Sequence, residues 1–265
     1  MHVATRCTHL VSFLTLTLPL TLSACGRDDS GGTSGHRADA FSDAPPSDVI
    51  KPEPGPRNTV MRLFVKPFAG EYPLVNYFDH DRPVAPGDTN GYQLTWRGER
   101  AYPGVDISGY DGHRGMDWEL PQNTPVFAVT NGEVVFAGDE TFPCFLQNNK
   151  VLSNPTVVLQ FVAPDGSTYR ALYTHLNRID VAVGDVVAEG QQLGLSGATG
   201  CVGKARAPHL HFQVSRVLRQ SPTEVAVIDP YGWEGPTPDP WEAGNAGRAS
   251  VWLWKQGQAP DIVRR

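Results

Sequence analysis

The chain is poor in what a nucleic-acid binder, a membrane-spanning protein or a helical bundle needs. No run of lysine or arginine occurs, and 22 basic against 28 acidic residues give a formal charge of −6. That balance speaks against a polyanionic partner such as nucleic acid. The longest apolar run, Leu10–Leu22 (LVSFLTLTLPLTL), has 13 residues, where a helix needs about 20 to span a bilayer. No stretch shows the 3.6-residue apolar period of a long amphipathic helix. Cysteine is limited to 4 of 265 residues. What is abundant is punctuation: 27 glycines and 23 prolines favour turns and short strands over helices. Hydrophobic content of 40% with 19% charged residues is ordinary for a soluble globular protein, and the length suits one well-packed domain with appendages.

The apolar run near the N-terminus has the length of a signal-peptide core. It leads into Leu22-Ser23-Ala24-Cys25, small residues before a cysteine that resemble the lipobox of bacterial lipoproteins. On that resemblance residues 1–24 are a removed signal and Cys25 is lipidated. The protein is then exported and anchored to a membrane without crossing it. Gly26 follows the cysteine, and the absence of aspartate there implies an outer-membrane destination where the host has one. Residues 25–58 are rich in Gly, Ser, Asp and Pro and read as a flexible tether.

Residues 59–111 carry scattered aromatics among turns and are expected to form an irregular extension packed on the core. Within them "FDHD" at 78–81 places His80 between acids, with no further ligand signal nearby. It reads as a solvated loop. From Gly112 strand patterns dominate. "PVFAVT" and "EVVFAG" flank Asn131-Gly132, and "PTVVLQFV" and "STYRALYTHL" flank Pro164-Asp165-Gly166, two hairpin signals. The expected fold class is mostly β, with a compact antiparallel core over residues 112–220. Residues 221–265 hold Trp233, Trp241, Trp252 and Trp254 and read as an extension whose aromatics pack on that core. The chain is expected to be a monomer.

Four histidines fall inside the strand-rich core: His113, His175, His209 and His211. In "GHRGMDW" His113 precedes Asp117 by four positions. In "PHLHF" His209 and His211 alternate along a strand, so both imidazoles stand on one face about 6–7 Å apart at the backbone. Imidazole nitrogen and carboxylate oxygen are good Zn²⁺ ligands. Structural zinc in small domains usually takes cysteines and closes all four positions, whereas a catalytic site keeps one position open. Four imidazoles and a carboxylate therefore point to an open metal with acid–base groups beside it. Either member of the His209–His211 pair can ligate, and spacing leaves that choice open.

The blocks "HRGMDWELPQNTPVFAVTNGEVVFAG", "ALYTHL", "VAVGDVVAEGQQLGLSGATG" and "PHLHF" occur in that order. Together they resemble the lysostaphin/LytM-type zinc endopeptidases, which cleave peptide cross-links of bacterial peptidoglycan. The resemblance implies an antiparallel β core with a groove walled by loops. It also implies His113, Asp117 and His211 as ligands of one Zn²⁺, with His175 and His209 as catalytic histidines. Peptidoglycan peptide stems are the implied substrate. An inactive scaffold or activator of other wall hydrolases is the alternative, and a zinc-holding wall-binding module is a third. Two loops depart from the family: "DETFPCFLQNNKVLSN" and "TGCVGKARAPHLH". Each holds one cysteine, and in an oxidising compartment Cys144 and Cys201 are expected to form a disulfide.

Overall fold

The computed structural model describes residues 60–84, 90–102, 111–144, 147–202, 207–218, 221–243 and 248–260. The signal, Cys25 and the tether lie outside the described residues. All described residues belong to one compact unit, Ile50–Arg265. Among them there is no α-helix, and the antiparallel β expectation holds.

The main sheet runs in the order β13 (Val186–Val187), β7 (Gly132–Asp139), β10 (Pro155–Val162), β11 (Thr168–Thr174), β15 (Leu210–Leu218), β5 (Met116–Trp118), β2 (Leu74–Asn76). A further strand, β16 (Ser221–Ile228), pairs with the distal half of β15 beyond β5. All these pairings are antiparallel. A second sheet orders β12 (Leu176–Ile179), β14 (Gln192–Ser196) and β6 (Pro125–Phe127). Three two-stranded pairs complete the fold. They are β1 (Val60–Phe64) with β17 (Trp252–Trp254), β3 (Gln93–Leu94) with β4 (Arg100–Ala101), and β8 (Phe142–Cys144) with β9 (Lys150–Leu152).

Alternation along β15 separates core from chemistry. Leu210, Phe212 and Val214 are fully buried, while His211 points to the opposite face, as the two-residue period of a strand requires. Beneath the sheet, Phe212 meets Phe64, Trp118, Tyr173 and Trp254, with ring centroids 5.2–6.1 Å apart. Phe64 comes from β1 and Trp254 from β17, so segments flanking the strand-rich centre supply much of the aromatic core. Such ring pairs add about 0.5–1.5 kcal/mol each beyond burial. They fix the sheet face from which His211 emerges.

The Pro164-Asp165-Gly166 hairpin forms between β10 and β11 as its residues suggest. Asp165 Oδ1 accepts the Ser167 N–H at 2.9 Å, and Gly166 adopts φ +76°. The Asn131-Gly132 expectation is corrected. Its flanking strands, β6 and β7, belong to different sheets and do not pair with each other. Gly132 is needed for close approach: a Cβ there would stand 2.6 Å from the Gln160 carbonyl oxygen of β10. Asn131 Oδ1 instead accepts the Glu189 N–H at 2.8 Å. Asn-Gly carries a hairpin signal only where both residues are free to take positive φ, and here packing against β10 sets the path.

Candidate metal centre and active site

Strand pairing assembles the site. β5 lies antiparallel to β15 with Asp117 opposite His211, which sets the carboxylate beside the imidazole. His113 reaches the same point along the turn before β5, because Gly115 lets that turn press on β15. A Cβ on Gly115 would lie 2.4 Å from the Phe212 carbonyl oxygen and 3.0 Å from the His211 ring. Any larger residue would push β5 and β15 apart at the site.

His211 Nδ1 lies 2.8 Å from Asp117 Oδ1, His113 Nε2 lies 3.3 Å from that oxygen, and the two nitrogens are 3.0 Å apart. All three donor atoms fall within 4.8 Å of one another. Four ligands about 2.0–2.1 Å from a tetrahedral ion stand roughly 3.3 Å from each other. The observed triangle matches that spacing closely enough for side-chain adjustments alone to admit zinc. His113 Nδ1–H donates to the Tyr77 carbonyl at 2.9 Å. A carbonyl only accepts, so in the neutral ring Nε2 holds the lone pair that faces the other donors. Asp117 is nearly fully buried. Burial opposes its ionisation, but the neighbouring His113 and His209 and the hydrogen bonds from His113 and His211 hold its carboxyl well below the usual range. Burial also lowers His211, against the pull of Asp117. An ionised carboxylate beside two imidazole nitrogens, which give up any proton on binding, is a donor set that a divalent ion takes up.

His175 and His209 stand beside this triangle, their ring centroids 4.7 Å apart, with His175 5.9 Å from His211. His175 sits between β11 and β12 at φ +63°, a conformation a non-glycine residue holds only under constraint. The constraint is visible: its backbone N–H donates to Asn154 Oδ1 at 3.3 Å. Its ring Nδ1 donates to Thr199 O at 2.8 Å and shares Asn154 Oδ1 at 3.1 Å. His209 Nδ1–H donates to Ala207 O at 2.8 Å. Both rings are therefore capped at Nδ1 and offer Nε2. Burial, followed by the charges of His209 and His211, lowers His175 well below the ordinary imidazole range. It is neutral near pH 7 and free to accept a proton.

The five histidine and aspartate positions singled out in the sequence thus come together from β5, β15, the turns before β5 and after β11, and a β-bridge between His209 and Gly197. A disulfide joins Cys144 and Cys201 (S–S 2.14 Å). It ties the end of β8 to the segment after β14. Sequence reasoning missed Asn154, whose amide fixes the His175 backbone and ring, and Asn76, which donates to Asp117 Oδ2 at 2.8 Å. Neither asparagine, one ahead of β10 and the other ending β2, gives a local sign of its partner.

His80 requires a second correction. It is fully buried, not solvated. Its Nδ1 meets Asp239 Oδ1 at 2.9 Å and its Nε2 meets Asp229 Oδ2 at 3.0 Å. Burial opposes its charge, but hydrogen bonds to Asp229 and Asp239 prevail and raise it to about 9. The loop reading failed because both carboxylates come from the far end of the chain.

Comparison with known proteins gives these features a setting. The family model of peptidase family M23 matches residues 111–225. Peptidoglycan DD-endopeptidase ShyA of Vibrio cholerae is 35% identical over 102 residues, covering 38% of this chain and 20% of ShyA. Lysostaphin of Staphylococcus staphylolyticus is 34% identical over 133 residues, covering 48% of this chain and 25% of lysostaphin. The chain thus spans about a quarter or less of these relatives' lengths. Among solved structures, the catalytic domain of lysostaphin from Staphylococcus simulans shares 31% identity, with a TM-score of 0.33. That match covers 47% of this chain and 79% of the solved one. With its ordered motifs and matching relatives, the segment 111–225 of this chain is a peptidase family M23 domain.

Proposed function

We propose that this chain is a zinc-dependent endopeptidase that hydrolyses peptide cross-links of bacterial peptidoglycan. In this reading it is exported, anchored through lipidated Cys25 and active as a monomer. The observation that carries the reading is the convergence of three donor atoms within 4.8 Å next to two imidazoles already capped at Nδ1. The relative ShyA, named a peptidoglycan DD-endopeptidase, supports the substrate class.

His113 Nε2, Asp117 Oδ1 and His211 Nδ1 would hold the ion. Zinc in such a site supplies Lewis-acid polarisation and a lowered pKa for water. The protein's own residues do the rest. His175, kept neutral by burial, accepts a proton at Nε2, and His209 offers a second Nε2 within the same space. Between them they remove a proton from the attacking water and return one to the leaving amine. Their Nδ1 hydrogen bonds to Thr199 and Ala207 carbonyls keep both rings aimed throughout.

The scaffold alternative would be favoured by loss of a ligand or a catalytic histidine, and the sequence keeps a histidine or aspartate at all five positions. The deciding experiment incubates the full exported chain with purified peptidoglycan, with a chelator, and after zinc is restored. Release of new muropeptides that stops with chelator and returns with zinc is the expected result. Zinc content without any bond cleavage would instead favour the scaffold or binding-module reading.

A further inference from the structure

The carboxylate that bridges the two imidazoles is gripped from outside the M23 segment. Asp117 turns Oδ1 toward His211 and His113, while Oδ2 accepts a hydrogen bond from Asn76 Nδ2 at 2.8 Å. Both residues are buried, Asp117 to 2% and Asn76 to 7% exposure. Asn76 ends β2, and the β2–β5 register sets it opposite Asp117. The amide must present its nitrogen there, since its oxygen would face a carboxylate acceptor to acceptor.

Asn76 cannot easily withdraw, because the residues after it are fixed in turn. Tyr77 N–H donates to Gln93 Oε1 at 3.0 Å, and the Tyr77 carbonyl accepts from His113 Nδ1. Asp79 N–H donates to the His113 carbonyl at 2.9 Å, and Asp79 Oδ2 accepts the Gly112 N–H at 2.9 Å. His80 is then bolted between Asp229 and Asp239. One short segment therefore touches Asp117, His113 and the turn before His113, and is itself anchored on the C-terminal part of the chain.

The geometry points to Asn76 as a positioning residue: it occupies Asp117 Oδ2, so that the carboxylate presents Oδ1 alone to the ion. This rests on the zinc reading above. A ligand whose second oxygen is held by a fixed donor neither rotates nor splits its bonding between two oxygens, and loss of such a partner typically weakens metal binding about 10–100-fold.

The test measures zinc affinity by competition with a chromophoric chelator for the full exported chain, Asn76→Ala and Asn76→Asp. Asn76→Asp keeps the shape and removes the donor, and so serves where Asn76→Ala fails to fold. Unfolding temperatures of the metal-free proteins are recorded in parallel. The expected result is a zinc Kd raised about 10–100-fold in the folded variants, with KM for peptidoglycan unchanged. A merely structural role would lower the unfolding temperature and leave Kd within about threefold of the parent, and that overturns the inference while the metal reading stands. A parent chain that takes up no zinc overturns the metal reading itself, and the assignment of Asn76 with it.

Discussion

Among the described residues stand two buried groups of histidine and aspartate, one around His113, Asp117 and His211, the other around His80, Asp229 and Asp239. The first has two imidazoles to one carboxylate, and the second has one imidazole to two carboxylates. In the first, the imidazoles keep 12% and 15% of their side-chain surface exposed. In the second, side-chain exposure is 0% for His80 and Asp229 and 2% for Asp239. At the His113 group the donor atoms converge on one point. At His80 each ring nitrogen is spent on its own carboxylate. Asp229 Oδ1 and Asp239 Oδ1 also accept the Tyr231 and Trp241 N–H groups. One arrangement brings its donor atoms together at a common point, and the other turns each toward its own partner and becomes a staple. Residue type alone does not separate a site from a staple; the direction of the lone pairs does.

The contrast is broken most severely by removing the carboxylate proposed as a ligand. Asp117→Ala should lose bound zinc, seen by metal analysis, and drop peptidoglycan hydrolysis by on the order of 10³-fold or more. Retained zinc would place the metal elsewhere. Next in size, His175→Ala and His209→Ala should each lower kcat by about 10²–10⁴-fold with zinc stoichiometry unchanged. If either variant instead sheds its metal, that histidine is a ligand and the division of roles is wrong.

The staple is tested through stability. Asp229→Ala leaves a buried imidazolium short of one partner and should destabilise the fold by about 3–5 kcal/mol, read from urea unfolding. A loss below about 1 kcal/mol, the scale of an exposed pair, would show that the His80 group is not a closed ionic unit. The smallest effect is pH dependence. His80 is raised from 6.5 to about 9, so its contribution is fully present below pH 6.5 and is lost as pH rises through about 9. Asp79, lifted to about 8 by burial and its hydrogen bond with Asp81, pushes the same way, since its favoured neutral form disappears as pH climbs. The unfolding temperature should fall between pH 6.5 and about 9. A flat profile over that window would argue that His80 is neutral.

Much of the site was legible before the fold. His113, Asp117, His175, His209 and His211 sit in short blocks whose residues signal strand ends and turns, and their order along the chain carries the family pattern. The disulfide was legible too, because each of the two departing loops holds a single cysteine, Cys144 and Cys201. Asn76 was not legible, being 41 positions from Asp117. His80 was misread for the same reason: Asp229 and Asp239 lie 149 and 159 positions away. Asn131-Gly132 was misread because a glycine that relieves crowding against another strand looks, in sequence, like a glycine that makes a turn.

The sequence by itself determined the alternation that puts Phe212 in the core and His211 on the opposite face, the turn at Gly166, and the types of donor atom available. These depend on neighbours a few residues apart, where backbone period and side-chain chemistry act directly. Only the tertiary structure decided which histidines converge with a carboxylate at one point and which is locked between two carboxylates. The direction of a lone pair is set by whatever meets the ring's other nitrogen, and in this fold that partner is brought in by strands and turns from far along the chain.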